Sequence, residues 1–146
     1  MDIEQAIRSY LPNILHMSFA TCAGNKPWVC EVHFVYDDDL NLYFRSLLSR
    51  RHSQELAHNP NVAGNIVTQH PLGEKPRGVY FEGTAEMLQN IDEHHPSFNL
   101  FRNRLQINIL EDIKKGHELY KITVSTFYLF DSRESHPSQK YELKWK

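Results

Sequence analysis

A short run of polar residues between two predicted structural elements has the chemistry to bind a phosphate monoester. Ser46 ends an apolar segment, and Arg50, Arg51 and His52 follow shortly after it, at the predicted start of a helix. Arginine presents a planar fork of N–H donors to phosphate, and a hydroxyl adds one more donor. Free N–H groups at a helix start would point at the same place. The alternative interpretation is a solvated basic turn whose arginines pair with nearby acids.

The elements that must position these residues are mostly strands, because β-branched and aromatic residues dominate several short segments bounded by turn residues. Short turns join the first three segments, so we expect an antiparallel meander there. The tail, with alternating apolar residues, also suits a strand. The six predicted strands cover residues 14–22, 28–36, 40–46, 61–69, 77–88 and 118–130, and the tail covers residues 140–146.

A few helices accompany the strands. Apolar residues at helical spacing predict helices over residues 3–11, 49–58 and 92–107, with Asp2, Ser49 and Asp92 as candidate N-caps. The segment over residues 109–115 fits no single pattern. The fold class that follows is mainly β with a few helices, and closure of six antiparallel strands into a small barrel would remove exposed edges.

Composition limits the classes of function. The chain has 146 residues, which suits a single domain over 1–146, and its 40% hydrophobic content is enough for a packed core. A net charge of −2 argues against nucleic acid as the partner, and no apolar run is long enough to span a membrane. The acidic start at residues 1–4 does not resemble a signal peptide, so we expect a cytoplasmic protein.

The order of motifs over residues 15–86 resembles the pyridoxamine 5'-phosphate oxidase-like family, whose members are FMN-binding split β-barrels. The most specific part is the basic pair Arg51-His52, followed by Glu-Leu at 55–56 and Asn-Pro-Asn-Val-Ala at 59–63. Glu-Gly at 82–83, within the fifth predicted strand, supports the resemblance. The resemblance implies a six-stranded antiparallel split barrel of the FMN-binding type and a homodimer with FMN at its interface.

The same resemblance implies a set of cofactor-binding residues. The phosphate-binding positions fall on Ser46, Arg51 and His52, with Arg50 as a substitute or helper. The flavin ring is expected along the second strand. Trp145 of the tail is expected at the interface for a separate reason, because aromatic residues in the tail of a small domain need something to cover. A flavin-contacting glutamine of the family is Gly78 here. The complete predicted set is Cys30, Glu31, Val32, Ser46, Arg50, Arg51, His52, Gly78 and Trp145.

Three departures separate this chain from the oxidase itself. The oxidase has an arginine near Cys30, a glutamine at Gly78 and an arginine-containing tail, and this chain has none of these. The resemblance therefore implies an FMN-dependent oxidoreductase acting on an unidentified small molecule. The alternative is a non-catalytic carrier of flavin or haem. Because FMN would supply the redox chemistry, no catalytic residue is assigned.

Metal and disulfide chemistry are not expected. The nine histidines are scattered without the spacing of metal ligands, and Asp37-Asp38-Asp39 is typical of a hairpin turn. Cys22 and Cys30 lie on neighbouring predicted strands, which would place them opposite or diagonal to each other. We interpret them as buried thiols rather than as a redox pair.

Overall fold

The structure is a computed structural model and describes residues 2–132 and 140–146. That part of the chain contains eight strands, four α-helices and one 3-10 turn. The strands are β1 (His16–Ala23), β2 (Lys26–His33), β3 (Val35–Tyr36), β4 (Leu42–Leu47), β5 (Asn61–Ile66), β6 (Arg77–Met87), β7 (His117–Asp131) and β8 (Lys140–Lys144). The helices are α1 (Ile3–Tyr10), α2 (Arg51–Leu56), α3 (Pro96–Leu105) and α4 (Ile109–Lys114), and the 3-10 turn is Leu11–Asn13.

The strands form one antiparallel sheet that curls into a barrel. Its order is β2-β1-β5-β6-β7-β4-β3, and β8 pairs with β7. β2 and β3 therefore lie at opposite ends of the sheet, although only Phe34 separates them in the chain. Covalent continuity through Phe34, which is completely buried, brings the two ends of the sheet together. Among the described strands no ladder joins β2 to β4, so the barrel is split along this side.

The predicted class, an antiparallel split barrel with a few helices, is confirmed, but two details of the prediction were wrong. Eight strands are present rather than six: the predicted second strand breaks at Phe34 into β2 and β3, and the tail adds β8, as its alternation indicated. The expected meander stops after β1 and β2, since β4 pairs with β3 and β7 and not with β2. Because of the break, one continuous segment, residues 26–36, forms the strands at both ends of the curled sheet.

Helix positions agree with the sequence pattern better than helix caps do. Asp2 caps α1 as predicted, and its carboxylate accepts a hydrogen bond from the Gln5 backbone N–H. The N-cap of α2 is Arg50 instead of Ser49, and the N-cap of α3 is His95 instead of Asp92. Pro96, at the first position of α3, explains the latter shift, because proline is favoured there and restricts the residue before it to extended geometry.

Phenylalanines fill the barrel. Phe19, Phe34, Phe44, Phe81 and Phe127 are almost completely buried. A smaller apolar cluster packs α3 and α4 against β3, β4 and β7. Among the described residues, no helix is long and apolar enough to cross a membrane.

The Glu-Gly pair of the family resemblance has a structural reason. The pairing of β6 with β7 shifts its register between Glu82 and Gly83, which marks a β-bulge. A Cβ atom at Gly83 would overlap the carbonyl oxygen of Thr123 on β7. Only glycine allows the two backbones to approach this closely.

The three aspartates after β3 form a turn, as the sequence predicted. The Asp37 carboxylate accepts hydrogen bonds from the Asn41 side-chain amide, from the backbone N–H groups of Asn41 and Asp39, and from the Tyr43 hydroxyl. These donors hold the pKa of Asp37 below its ordinary value although burial opposes the shift. The carboxylate therefore stabilises the hairpin between β3 and β4.

Candidate functional site

A cleft of about 550 Å³ lies at the split of the barrel, between β2, β4 and the start of α2. Seven of the nine predicted cofactor-binding residues line it: Cys30, Glu31, Val32, Ser46, Arg50, Arg51 and His52. Five further residues complete the lining and were not among the predicted site residues: Trp28, His33, Arg45, Leu47 and His117. The basic turn at residues 46–52 and the edge strand β2 thus form facing walls of one cleft.

A hydroxyl and an imidazole form a buried polar pair in the cleft. Ser46 Oγ and His52 Nε2 share a hydrogen bond of 2.6 Å, and both side chains are buried. The His52 ring meets Phe19 edge-on, with ring centroids 5.4 Å apart, and Phe44 lies on another side. Burial, reinforced by the nearby charge of Arg50, lowers the pKa of His52 below 6.5. His52 is therefore a neutral imidazole at physiological pH.

The neutral state of His52 predicts a loss of stability in mild acid. Below pH 6.5 the unfolded chain takes up a proton at His52, whereas the folded protein resists it because its pKa is lower. The pKa values of His33 and His95 are lowered in the same direction, also mainly by burial. Urea denaturation should therefore give a smaller free energy of unfolding at pH 5.5 than at pH 7.5. The buried His52 contributes at most about 1.4 kcal/mol per pH unit.

A substitution separates this histidine effect from other titrations. His52→Gln keeps a polar side chain without a charge and should make the free energy of unfolding less dependent on pH between 7.5 and 5.5. The carboxylates Asp37 and Glu55, whose pKa values are lowered, lose their contribution only as the pH falls below about 4.5. A pH dependence that is identical in His52→Gln and the parent protein would contradict the assignment.

Arg51 is held in place by two neighbours. Its Nε donates to Glu55 Oε2 at 2.9 Å, and its guanidinium lies over the Trp28 ring, 4.3 Å from the centroid. The other carboxylate oxygen of Glu55 accepts from Thr21 Oγ1 at 2.7 Å. The hydrogen bond from Thr21, and then that from Arg51, lower the pKa of Glu55. The remaining N–H donors of Arg51 stay available to a ligand in the cleft.

The other two arginines of the turn differ in their partners. Arg45 forms an ion pair with Asp112 of α4, Nε to Oδ2 at 2.5 Å, as the solvated-turn interpretation expects. The exposed Arg50 side chain has no ion pair within the described residues, and it is the N-cap residue of α2. The cleft thus has one arginine held by an acid and an aromatic ring, and one whose charge is not neutralised by an adjacent acid.

The sequence pattern already contained a signal for Glu55. It stands four residues after Arg51, a spacing at which opposite charges meet on a helix. The contacts of this pair with Thr21 on β1 and Trp28 on β2 depend on the packing of α2 across the hairpin, which no local pattern reveals.

The two cysteines do not form a pair. Cys30 lies opposite Phe19 on β1, whereas Cys22 lies opposite Pro27, so the prediction that they are opposite or diagonal was wrong. Burial, and then the charge of Glu31, raise the pKa of the Cys30 thiol to about 12. Cys30 is therefore a protonated, unreactive thiol in the cleft wall, in line with its interpretation as a small apolar residue.

Two predicted site residues lie outside the cleft of their own chain. Gly78 is in β6 opposite Phe130, and β7 separates β6 from β4 in the sheet order. Trp145 follows β8, and its indole N–H donates to the backbone oxygen of Asp39 at 2.7 Å. Its ring meets Phe127 edge-on. Within residues 2–132 and 140–146, no three or more His, Cys, Asp or Glu side chains come together as a metal site.

A curled antiparallel sheet with a basic, edge-strand cleft at its split defines the class of split β-barrel proteins. The family model described as pyridoxamine 5'-phosphate oxidase matches residues 3–131. The chain belongs to this family. A UPF0306 protein of Photorhabdus laumondii is 28% identical over 86 residues, which are 58% of this chain and 60% of that protein. This similarity is to a UPF0306 protein and not to the oxidase itself.

Solved structures with the same fold differ in their described ligands. General stress protein 26 of Bacillus anthracis has a TM-score of 0.67 at 18% identity, with 98% of this chain and 100% of that chain covered. HutZ, the haem storage protein of Vibrio cholerae, has a TM-score of 0.70 at 17% identity, with 85% and 91% covered. An FAD-binding protein of Mesorhizobium loti has a TM-score of 0.68 at 17% identity, with 87% and 92% covered. At these identities the likeness establishes the fold alone.

Proposed function

We propose that the protein binds FMN in the cleft, with the phosphate at its basic end. The observation that carries this proposal is the convergence of Arg50, Arg51 and the hydrogen-bonded pair Ser46–His52 in one cleft. Two guanidinium groups supply charge and planar donors, and the hydrogen-bonded pair of hydroxyl and neutral imidazole supplies one further donor. This donor set fits a phosphate monoester.

The flavin ring is proposed to lie along β2. This strand is at the end of the sheet order, so one row of its backbone N–H and C=O groups has no neighbour among the strands that the structure describes. Cys30, Glu31 and Val32 stand where that row lines the cleft. The polar edge of an isoalloxazine ring carries donors and acceptors that such a backbone can satisfy.

A second copy of the chain is proposed to complete the site. Trp28 and Val29 on β2 are 40% and 62% exposed, so this edge strand has apolar surface that a partner could cover. Gly78 and Trp145 lie outside the cleft of their own chain, and in a homodimer with FMN at the interface the partner subunit would supply these positions. Size-exclusion chromatography with light scattering tests the dimer.

The proposed activity is that of an oxidoreductase acting on a small molecule. Bound FMN supplies hydride and electron transfer. The chain's own residues bind the phosphate, orient the ring along β2 and keep a neutral imidazole at His52. The protonated thiol of Cys30 makes no nucleophile at neutral pH. We expect the protein to act in the cytoplasm.

The absorption spectrum of the purified protein tests the cofactor. We expect a yellow protein with flavin bands, or a colourless one that quenches FMN fluorescence on titration and saturates at one FMN per chain. A protein that neither carries flavin nor quenches added FMN would contradict the proposal. Anaerobic addition of NADH or NADPH, followed by re-oxidation with candidate acceptors, then tests turnover.

The second candidate function is a carrier of flavin or haem without turnover. It is favoured by the structural likeness to HutZ, described as a haem storage protein, and by the imidazoles of His33 and His117 on the cleft wall. A Soret band in the isolated protein, or on haemin titration, would support the haem carrier. Bound FMN that neither NADH nor NADPH reduces would support a flavin carrier.

A further inference from the structure

Two histidines face each other at the open end of the hairpin formed by β1 and β2. His16 is the first residue of β1, His33 is the last residue of β2, and they are direct partners in the ladder. Their ring centroids are 4.2 Å apart with an angle of 36° between the planes. Both residues are exposed, so neither ring is explained by packing into the core.

The backbone explains why these rings are so close. The N–H of Phe34 donates to the oxygen of Leu15 at 3.0 Å, which places the hydrogen bonds on the pair next to His16 and His33. The histidines therefore occupy a non-hydrogen-bonded position, where opposing side chains of an antiparallel pair approach most closely. The juxtaposition is set by the hairpin register and does not require a loop to move.

Two neighbouring imidazoles can bind one cation through the lone pairs of both rings. On the same face, Glu31 stands two residues from His33, and its carboxylate accepts a hydrogen bond from Ser18. This carboxylate adds negative charge to the face that carries the two histidines.

We propose that His16 and His33 form a two-imidazole site for a borderline divalent transition metal such as Zn²⁺, Ni²⁺ or Cu²⁺, with water in the remaining coordination positions. Imidazole nitrogen is a preferred ligand of these ions, whereas Mg²⁺ and Ca²⁺ require oxygen ligands. The site is distinct from the phosphate end of the cleft, although His33 also lines the cleft wall. It does not depend on the proposed flavin.

Calorimetric titration of Zn²⁺ into protein without an affinity tag tests the site. We expect one Zn²⁺ per chain at pH 7.5, and at least tenfold weaker binding in His16→Gln and in His33→Gln. Both residues are exposed, so the variants should fold, which circular dichroism verifies. Mg²⁺ should give no binding heat in this range.

Two other exposed histidines supply matched controls. His58→Gln removes a single imidazole, and His94→Gln removes one beside His95; both variants should bind Zn²⁺ like the parent protein. Cu²⁺ with electron paramagnetic resonance should show nitrogen hyperfine structure that is lost in His16→Gln and His33→Gln. Unchanged Zn²⁺ affinity in the two hairpin variants, or an equal loss in the controls, would overturn the proposal. The same titration on FMN-loaded protein should give the same Zn²⁺ affinity, because the site does not depend on the cofactor.

Discussion

Replacing Arg51 with alanine is expected to weaken FMN binding tenfold to a hundredfold, about 1.5–3 kcal/mol, the range for a hydrogen bond to a charged group. The substitution removes donors to the phosphate. It also leaves the Glu55 carboxylate, one helical turn along α2, without its cation partner, and this negative charge would repel the phosphate. Both effects act in the same direction, so we expect a value toward the upper end of the range.

Fluorescence titration with two ligands measures this effect. Riboflavin has no phosphate, and its affinity should be the same in Arg51→Ala and in the parent protein. Arg102→Ala is a matched control, because Arg102 also lies over an aromatic ring, that of Phe98, but outside the cleft. An equal loss of affinity for FMN and riboflavin would mean that Arg51 does not contact the phosphate.

Replacing Phe44 with alanine is expected to lower the free energy of unfolding by about 3–5 kcal/mol, the usual cost of truncating a buried phenylalanine. Phe44 is completely buried at the centre of an aromatic cluster. Its ring stacks on that of Tyr120, with centroids 5.0 Å apart, and its centroid lies 4.7 Å from that of Phe19. The barrel wall cannot collapse onto the cavity without breaking the β4–β7 ladder, so the cost should not fall below this range.

Urea denaturation at pH 7.5 measures the loss. Phe44→Leu, which leaves a smaller cavity, should cost less and supplies a value if Phe44→Ala does not fold. Leu48→Ala is the exposed control, since Leu48 is 50% exposed and its truncation should change stability by no more than about 0.5 kcal/mol. Phe44 also shields His52 from solvent. The free energy of unfolding of both Phe44 variants should therefore fall less between pH 7.5 and pH 5.5 than that of the parent protein. A cost of Phe44→Ala similar to that of Leu48→Ala would contradict the role of the cluster.

The part of the candidate site that is local in the chain was predictable. Ser46, Arg50, Arg51 and His52 belong to one turn, and the structure brings them together. The ion pair of Arg51 with Glu55 follows from helical spacing. By contrast, the partner of Arg45 is Asp112, on another helix, and no periodic pattern connects residues that far apart.

The strand pattern predicted most of the sheet but not its order. Alternation and turn residues identify each strand, because they reflect local backbone geometry and burial. They do not show that the chain breaks at Phe34, since β-branched and aromatic residues continue on both sides of it. The order of the sheet therefore required knowledge of which edges pair, and pairing depends on contacts between distant residues.

The sequence by itself thus determined the split-barrel class, the family resemblance and the basic turn, because these depend on residue types and short spacings. Only the tertiary structure decided that β2 forms the opposite wall of the cleft, that Gly78 and Trp145 lie away from it, and that His16 meets His33. The physical reason is the curl of the sheet. Joining its two ends through one buried residue places segments side by side that no local pattern connects.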